Sequence, residues 1–204
     1  METKDHKAVG IFLIEHIAEK VEKPLQWALL WGCVEPDFNV LTYLKGSMHG
    51  EKLRGHNYEN AYERISCFVH KLERTQKKMR DTFGMYGMFL KLKWHFLLGK
   101  LTHYVADAFT FPHNKEFSGD LTEHVRYEAE LHNYLAATLK HDMYAWRQRS
   151  HQDELGMQIG QMHEQYLQDT HGYITDCCYI LNALADVMEH FTGQDVEWMD
   201  EKVA

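Results

Sequence analysis

HYVADAFTFPHNKEFSGDLTEHVRYE, residues 103–128, sets the architecture of this chain and holds its chemistry. His103 and Asp107 are four apart, and so are His124 and Glu128, so in a helix each pair projects from one face, one turn above the other. Between them Phe111-Pro112 breaks the helical pattern, because proline has no N–H to give and its ring clashes with the preceding turn. The bend offers His113. Two helices and their connection can thus converge on one polar pocket, and imidazole with carboxylate is a donor set suited to zinc. A His/Asp pair standing alone is usually a surface pair or a capping interaction. Five such residues in ordered succession favour clustered metal instead.

The same helical period continues on both sides of this stretch. Upstream, Ala8, Ile11, Phe12, Ile14 and Ile17 outline a first helix, and a second runs from Leu25 after Pro24 to Trp31, stopping near Gly32. A loop from Gly32 to about Gly55 follows, containing Glu35-Pro36-Asp37 and the tail Lys45 to Gly50. A connection this long is more often functional than not. A third helix spans Asn57 or Tyr58 through Arg80, with Ala61, Ile65, Phe68, Val69 and Leu72 at helical spacing. After a turn around Gly84 to Gly87, a fourth runs from about Met88 to Phe109 and carries His103 and Asp107. Leu121 to Leu139 is a fifth, carrying His124 and Glu128, and Leu155–Gln168 and Tyr173–Phe191 are two more. No run alternates with a period of two between hairpin turns, so the fold class is all-α, a multi-helix bundle.

At 204 residues, 45% hydrophobic and 25% charged, the chain can bury one sizeable core, and one domain over 1–204 is the expectation. A net charge of −8 opposes a broad nucleic-acid surface or general attraction to anionic membranes. Membrane contact is at most peripheral, since no run is apolar enough for long enough to span a bilayer. The N-terminus METKDHKAVGIFLIEHIAEK reads as an amphipathic helix rather than a signal peptide. Cys33, Cys67, Cys177 and Cys178 have neither CxxC spacing nor an export signal beside them, so reduced core thiols and a cytoplasmic location are expected. Trp27, Trp31, Tyr86, Phe89, Trp94 and Phe96 read as core rather than as a lipid-binding lip, with Met85 and Met88 as flexible filling.

Leu98-Gly99-Lys100-Leu101-Thr102-His103-Tyr104-Val105-Ala106-Asp107, then Pro112-His113, then His124-Val125-Arg126-Tyr127-Glu128, resembles in order and nearly in spacing the central signature of the zinc-dependent phospholipase C family. That family is distantly related to the single-strand-specific zinc nucleases. Gly32 to Asp37 resembles its Gly-x-x-x-Pro-Asp element, Gly55-His56 matches a following histidine, and His6 sits where the family has an early one. The resemblance implies an all-helical protein with two or three zinc ions that hydrolyses phosphodiesters, typically phospholipid headgroups. By the same resemblance His113, His124 and Glu128 would hold one zinc. His103, Asp107, Asp37 and His56 would surround a second, and Asp107 would bridge to a third ligated by His6. Secreted members ligate that third ion through the amine and carbonyl of a processed N-terminal Trp, whereas this chain begins Met1-Glu2-Thr3, so ligation of the third ion by a terminal amine is not expected here.

Such ligands make chemical sense for phosphodiester hydrolysis. Paired metals clamp the attacking and leaving oxygens of an in-line displacement and lower the pKa of bound water. Asp37, preceded by Pro36, could ligate, orient the water as general base, or do both; the plainer reading is an Asx-type turn. His49 and His70 compete with His56, and His6 could be an ordinary helix-start histidine beside Asp5. The remaining histidines, His132 and His163 among them, have no comparable company and read as solvent or packing residues. The leading substrate is a phospholipid or small phosphodiester. The alternatives are a zinc nuclease or nucleotidase, which would need an aromatic platform and cationic help, and a metal-binding protein without catalysis.

Overall fold

Seven α-helices and one short 3-10 turn make up the residues described by the computed structural model, which are 1–16, 21–38, 58–141 and 154–192. In chain order they are α1 (Thr3–His16), α2 (Lys23–Phe38), α3 (Tyr58–Arg80) and α4 (Gly84–Ala108), then the turn Phe111–His113, then α5 (Leu121–His141), α6 (Leu155–Gln168) and α7 (Tyr173–Thr192). No strand occurs among the described residues, as the periodicity predicts. Nor is any described helix long and apolar enough to cross a membrane.

α4 is the central element. Its second half is buried on every side, from Leu97 to Ala108 apart from Lys100. α1, α2, α3 and α7 pack around it, while α5 lies against α1 and α7, and α6 against α3 and α7. Leu98, Leu101, Val105 and Phe109 meet Ile65 and Leu72 of α3 and Ile180, Leu184 and Val187 of α7 in one continuous apolar cluster. Each such side chain contributes roughly 1.5–3 kcal/mol by leaving water. That burial holds the polar end of α4 in place although His103 and Asp107 are themselves sunk in the interior.

α2 runs further than its sequence suggests. Gly32 does not stop the helix; a Cβ there would lie 2.2 Å from the carbonyl oxygen of Phe96, and one at Gly99 would lie 2.1 Å from that of Leu29. The two glycines are there because two backbones touch. The helix continues through Pro36, which forfeits one hydrogen bond only two residues before the end. Asp37 therefore stands on the last turn of a helix rather than in a loop.

α5 begins where a reciprocal cap forms: Glu123 N–H donates to Asp120 Oδ1 at 2.9 Å and Asp120 N–H to Glu123 Oε2 at 3.0 Å. Two groups of core assignments are corrected. Of the aromatic run, Trp94 is buried and Phe96 half-buried, but Trp27, Trp31, Tyr86 and Phe89 are exposed, as are Met85 and Met88. The hydrophobic residues on both faces of the N-terminal part of α4 were read as core, yet that part projects beyond what packs on it. Among the cysteines, Cys33 and Cys177 are buried while Cys67 and Cys178 are exposed, and all four are free thiols.

Candidate metal centre

The buried end of α4 meets the last turn of α2, the first turn of α1, the Phe111–His113 turn and the first turns of α5. Two groups of donors face each other there. In one, a nitrogen each from His6 and His103 and an oxygen from Asp37 lie within 4.8 Å of one another; in the other, so do donors of His113, His124 and Glu128. Asp107 stands between the groups. Its Oδ1 is 3.2 Å from His6 Nε2 and 3.4 Å from His113 Nδ1, while its Oδ2 is 3.3 Å from His103 Nε2. His6 and His103 stack with ring centroids 3.8 Å apart, and Asp37 Oδ1 lies 3.7 Å from His103 Nε2. Glu128 Oε1 is 3.1 Å from His113 Nε2 and 3.3 Å from His124 Nε2. Seven of the eight expected ligands thus converge, and the eighth, His56, lies outside the described residues, as do His49 and the loop that carries them.

The tautomer of His103 follows from its surroundings. Its Nδ1–H donates to the carbonyl of Cys33 at 2.8 Å, which leaves Nε2 as the lone pair turned into the centre. That carbonyl is within reach because the Gly32–Gly99 contact brings α2 so close to α4.

Met1 brings a group the sequence reading did not expect. Its terminal amine donates to Asp107 Oδ1 at 3.0 Å, and it lies 3.0 Å from Glu128 Oε1 and 3.3 Å from His113 Nε2. Burial opposes its charge, but Asp107 and Glu128 outweigh burial and push the amine up to about 10. Burial also works against the charge of Asp107; the amine and His113, His6 and His103 overcome it and hold the carboxyl well below its usual range. Glu128 is likewise lowered against burial, by hydrogen bonds from His113 and His124 and by the amine. For His6, burial and then the neighbouring His103 bring the imidazole down to about 4. Burial and the amine lower His113 as well. Ionised carboxylates among neutral imidazoles are the protonation state that metal ligation requires.

Whether these residues fit a metal can be judged from their unspent bonding capacity. Two buried ligand atoms, His6 Nε2 and Asp37 Oδ2, make no hydrogen bond. Buried polar atoms are normally satisfied, so such atoms around one point mark a place where another partner belongs. The donor set of imidazole and carboxylate fits zinc.

Other residues hold the site in place, and spacing gave no sign of them. Asp5 is buried on α1 and accepts from Glu2 N–H at 3.1 Å; its other oxygen pairs with Nδ1 of His132, one turn beyond Glu128 on α5. The pair ties the first turn of α1 to α5. Asn114 donates to the carbonyls of Ala108 and Thr110 at 3.1 and 3.0 Å, and His163 Nε2 donates to Asn114 Oδ1 at 2.8 Å. Asp176 on α7 accepts from Phe111 N–H, Tyr127 O–H and Tyr166 O–H at 3.1, 2.9 and 2.8 Å. The turn that presents His113 is therefore pinned by α6 and α7. A lone histidine or aspartate on a helix face carries no mark of such a partner in sequence.

Beside the centre, Phe111, Phe117, Tyr127, Tyr173, Glu123 and Arg126 line a cavity of about 250 Å³. The rings of Phe117 and His124 meet at nearly a right angle with centroids 6.1 Å apart.

A model of the family described as zinc dependent phospholipase C matches residues 9–178. No curated protein and no solved structure matches the chain.

Proposed function

The chain belongs to the zinc-dependent phospholipase C family, and from that premise we propose that it hydrolyses phosphodiesters of phospholipid headgroups or related compounds, with zinc held by His6, Asp37, His103, Asp107, His113, His124 and Glu128. His56 is an eighth ligand in this reading, and the ions number two or three. Bound there, zinc would supply Lewis-acid polarisation of the phosphoryl oxygens and a lowered pKa for water.

The observation that carries the reading is the position of Asp107, whose Oδ1 faces a histidine of each donor group, His6 and His113, while its Oδ2 faces His103. A carboxylate so shared would couple whatever ions the two groups hold. The residues of the chain do the rest. Cys33 orients His103, neutral His6 and His113 keep their lone pairs available, and Asp37 has an oxygen with no hydrogen bond. That oxygen can orient a water and take its proton as general base.

One observation favours a second reading, a zinc nuclease or nucleotidase. The cavity beside His124 has aromatic walls and Arg126 at its rim, the combination that stacks a base and steadies a phosphate. Protein purified without chelator is assayed for zinc and then offered p-nitrophenyl phosphocholine, bis-p-nitrophenyl phosphate, single-stranded DNA and nucleoside 3'-monophosphates. Turnover of the phosphocholine ester above the nucleic-acid substrates is the expected result. Preference for DNA or the monophosphates would establish the second reading, and zinc-replete protein inert on the whole panel would overturn both.

A further inference from the structure

The turn between α3 and α4 gathers the most exposed apolar side chains of the described residues, and nothing in the metal centre uses it. Phe83 is 86% exposed, Met85 90%, Tyr86 60% and Phe89 57%. Their display is built in. Thr82 N–H donates to the carbonyl of Met79 and Thr82 Oγ1 to that of Lys78, while Gly84 takes φ +68°, which starts α4 in a reversed direction. On α4, Met85, Phe89 and Lys93 are successively four apart and form an outward stripe, opposite buried Leu90, Trp94 and Leu97. Tyr86 and Phe89 stack with centroids 6.3 Å apart.

Cations surround this apex. Lys77, Lys78 and Arg80 close α3, Lys91 and Lys93 follow on α4, and all five are exposed. None of them makes an ion pair with a described residue. Across residues 77–93 they stand against one acid, Asp81, in a chain whose net charge is −8. A convex apolar apex with a cationic collar has a specific physical match. Aromatic and methionine side chains enter the headgroup–acyl boundary of a bilayer by roughly 5–10 Å, and lysines and arginines placed about that far behind them meet anionic headgroups. A protein groove would match the apolar apex but leaves the collar unexplained, and a nucleic acid would match the collar but leaves the apex unexplained.

We propose that the α3–α4 turn docks the protein peripherally on anionic lipid surfaces, with Phe83, Met85, Tyr86 and Phe89 inserted and Lys77, Lys78, Arg80, Lys91 and Lys93 against the headgroups. Phe89 and Asp107 lie about 27 Å apart along α4 at 1.5 Å per residue. The docking turn and the metal centre therefore occupy opposite ends of α4. Docking does not depend on the hydrolytic reading, because the tip and the centre share no residue.

The zinc-loaded protein is sedimented with vesicles of phosphatidylcholine alone and of phosphatidylcholine enriched in phosphatidylglycerol. Binding to the anionic vesicles only, weakening as salt rises, is expected. Met85→Ser/Phe89→Ser and Lys77→Glu/Lys91→Glu each lower the bound fraction by about tenfold or more, with zinc content and turnover of a soluble diester unchanged. The proposal is overturned if the wild type stays in the supernatant, if it binds neutral vesicles equally well, or if both variants bind as it does. It is overturned too if sedimentation velocity shows the variants converting a dimer to monomer, since a second copy would then be the occupant. Vesicle adhesion and soluble-diester turnover are separate readouts, so failure of one idea leaves the other standing.

Discussion

Asp107 touches both donor groups and His124 only one, and the two substitutions should differ accordingly. Asp107→Asn keeps the shape but removes the charge shared by His6, His103, His113 and the Met1 amine. Zinc per chain, measured by elemental analysis after chelator-free purification, should fall at both groups in Asp107→Asn and by one equivalent in His124→Ala. Away from the ligands, two buried groups titrate in opposite senses. Burial brings His163 down to about 4 and pushes Asp176 up to about 6, although its hydrogen bonds from Phe111, Tyr166 and Tyr127 oppose the rise. Between about pH 6.5 and 4 the unfolded chain takes up a proton that native His163 refuses, so stability falls with acid by up to about 1.4 kcal/mol per pH unit. Between about pH 6 and 3.8 native Asp176 holds a proton that the unfolded chain has lost, so stability rises with acid by a similar slope. The two nearly cancel. In Asp176→Asn the compensation is gone, and urea midpoints of chelated protein should drop more steeply from pH 6 to pH 4 than in the wild type.

Each helix carries a different share of the centre, and the way they are fastened decides how a lesion spreads. Gly99→Ala forces a methyl onto the Leu29 carbonyl, backbone against backbone, so the helices must part. A loss of about 3 kcal/mol or more in chemical denaturation is expected, with zinc binding at the His6–Asp37–His103 group weakened as well. His132→Ala leaves Oδ1 of buried Asp5 without its partner, costing about 1–3 kcal/mol, and unfastens the first turn of α1 from α5. Zinc should then be lost from the group containing His6 and retained at His113, His124 and Glu128, readable as stoichiometry against chelator. The helices themselves were legible from periodicity because their apolar stripes are long. The end of α2 was not, since a glycine serving a close approach looks the same in sequence as a glycine serving a stop, and Pro36 falls where both readings allow it. The i, i+4 pairs and Pro112 located most of the centre. The Asp5–His132 and His163–Asn114 pairs are separated by 127 and 49 positions, and no local pattern links such partners.

Taken together, the helices keep a buried concentration of carboxylate and imidazole that metal would stabilise. Binding to the folded chain alone adds about 2.7 kcal/mol at a hundredfold excess over the dissociation constant. For a chain of this size that corresponds to about 5–10 °C in thermal midpoint. Chelation should lower the midpoint by that amount, and zinc should restore it where magnesium does not, as monitored by circular dichroism. The exposed turn at the far end of α4 was misread from sequence for a reason belonging to the assembled molecule. Met85, Tyr86, Met88 and Phe89 look like core until one sees that no described neighbour extends far enough to cover them. The contact of Gly32 with Gly99 reaches beyond stability. Residues 29–37 and 96–107 act as one rigid spar whose two members set the Asp37–His103 separation between them, so a chimera that imports either strut alone would be mis-gauged even with every ligand conserved, and only their exchange as a block would transplant a working centre.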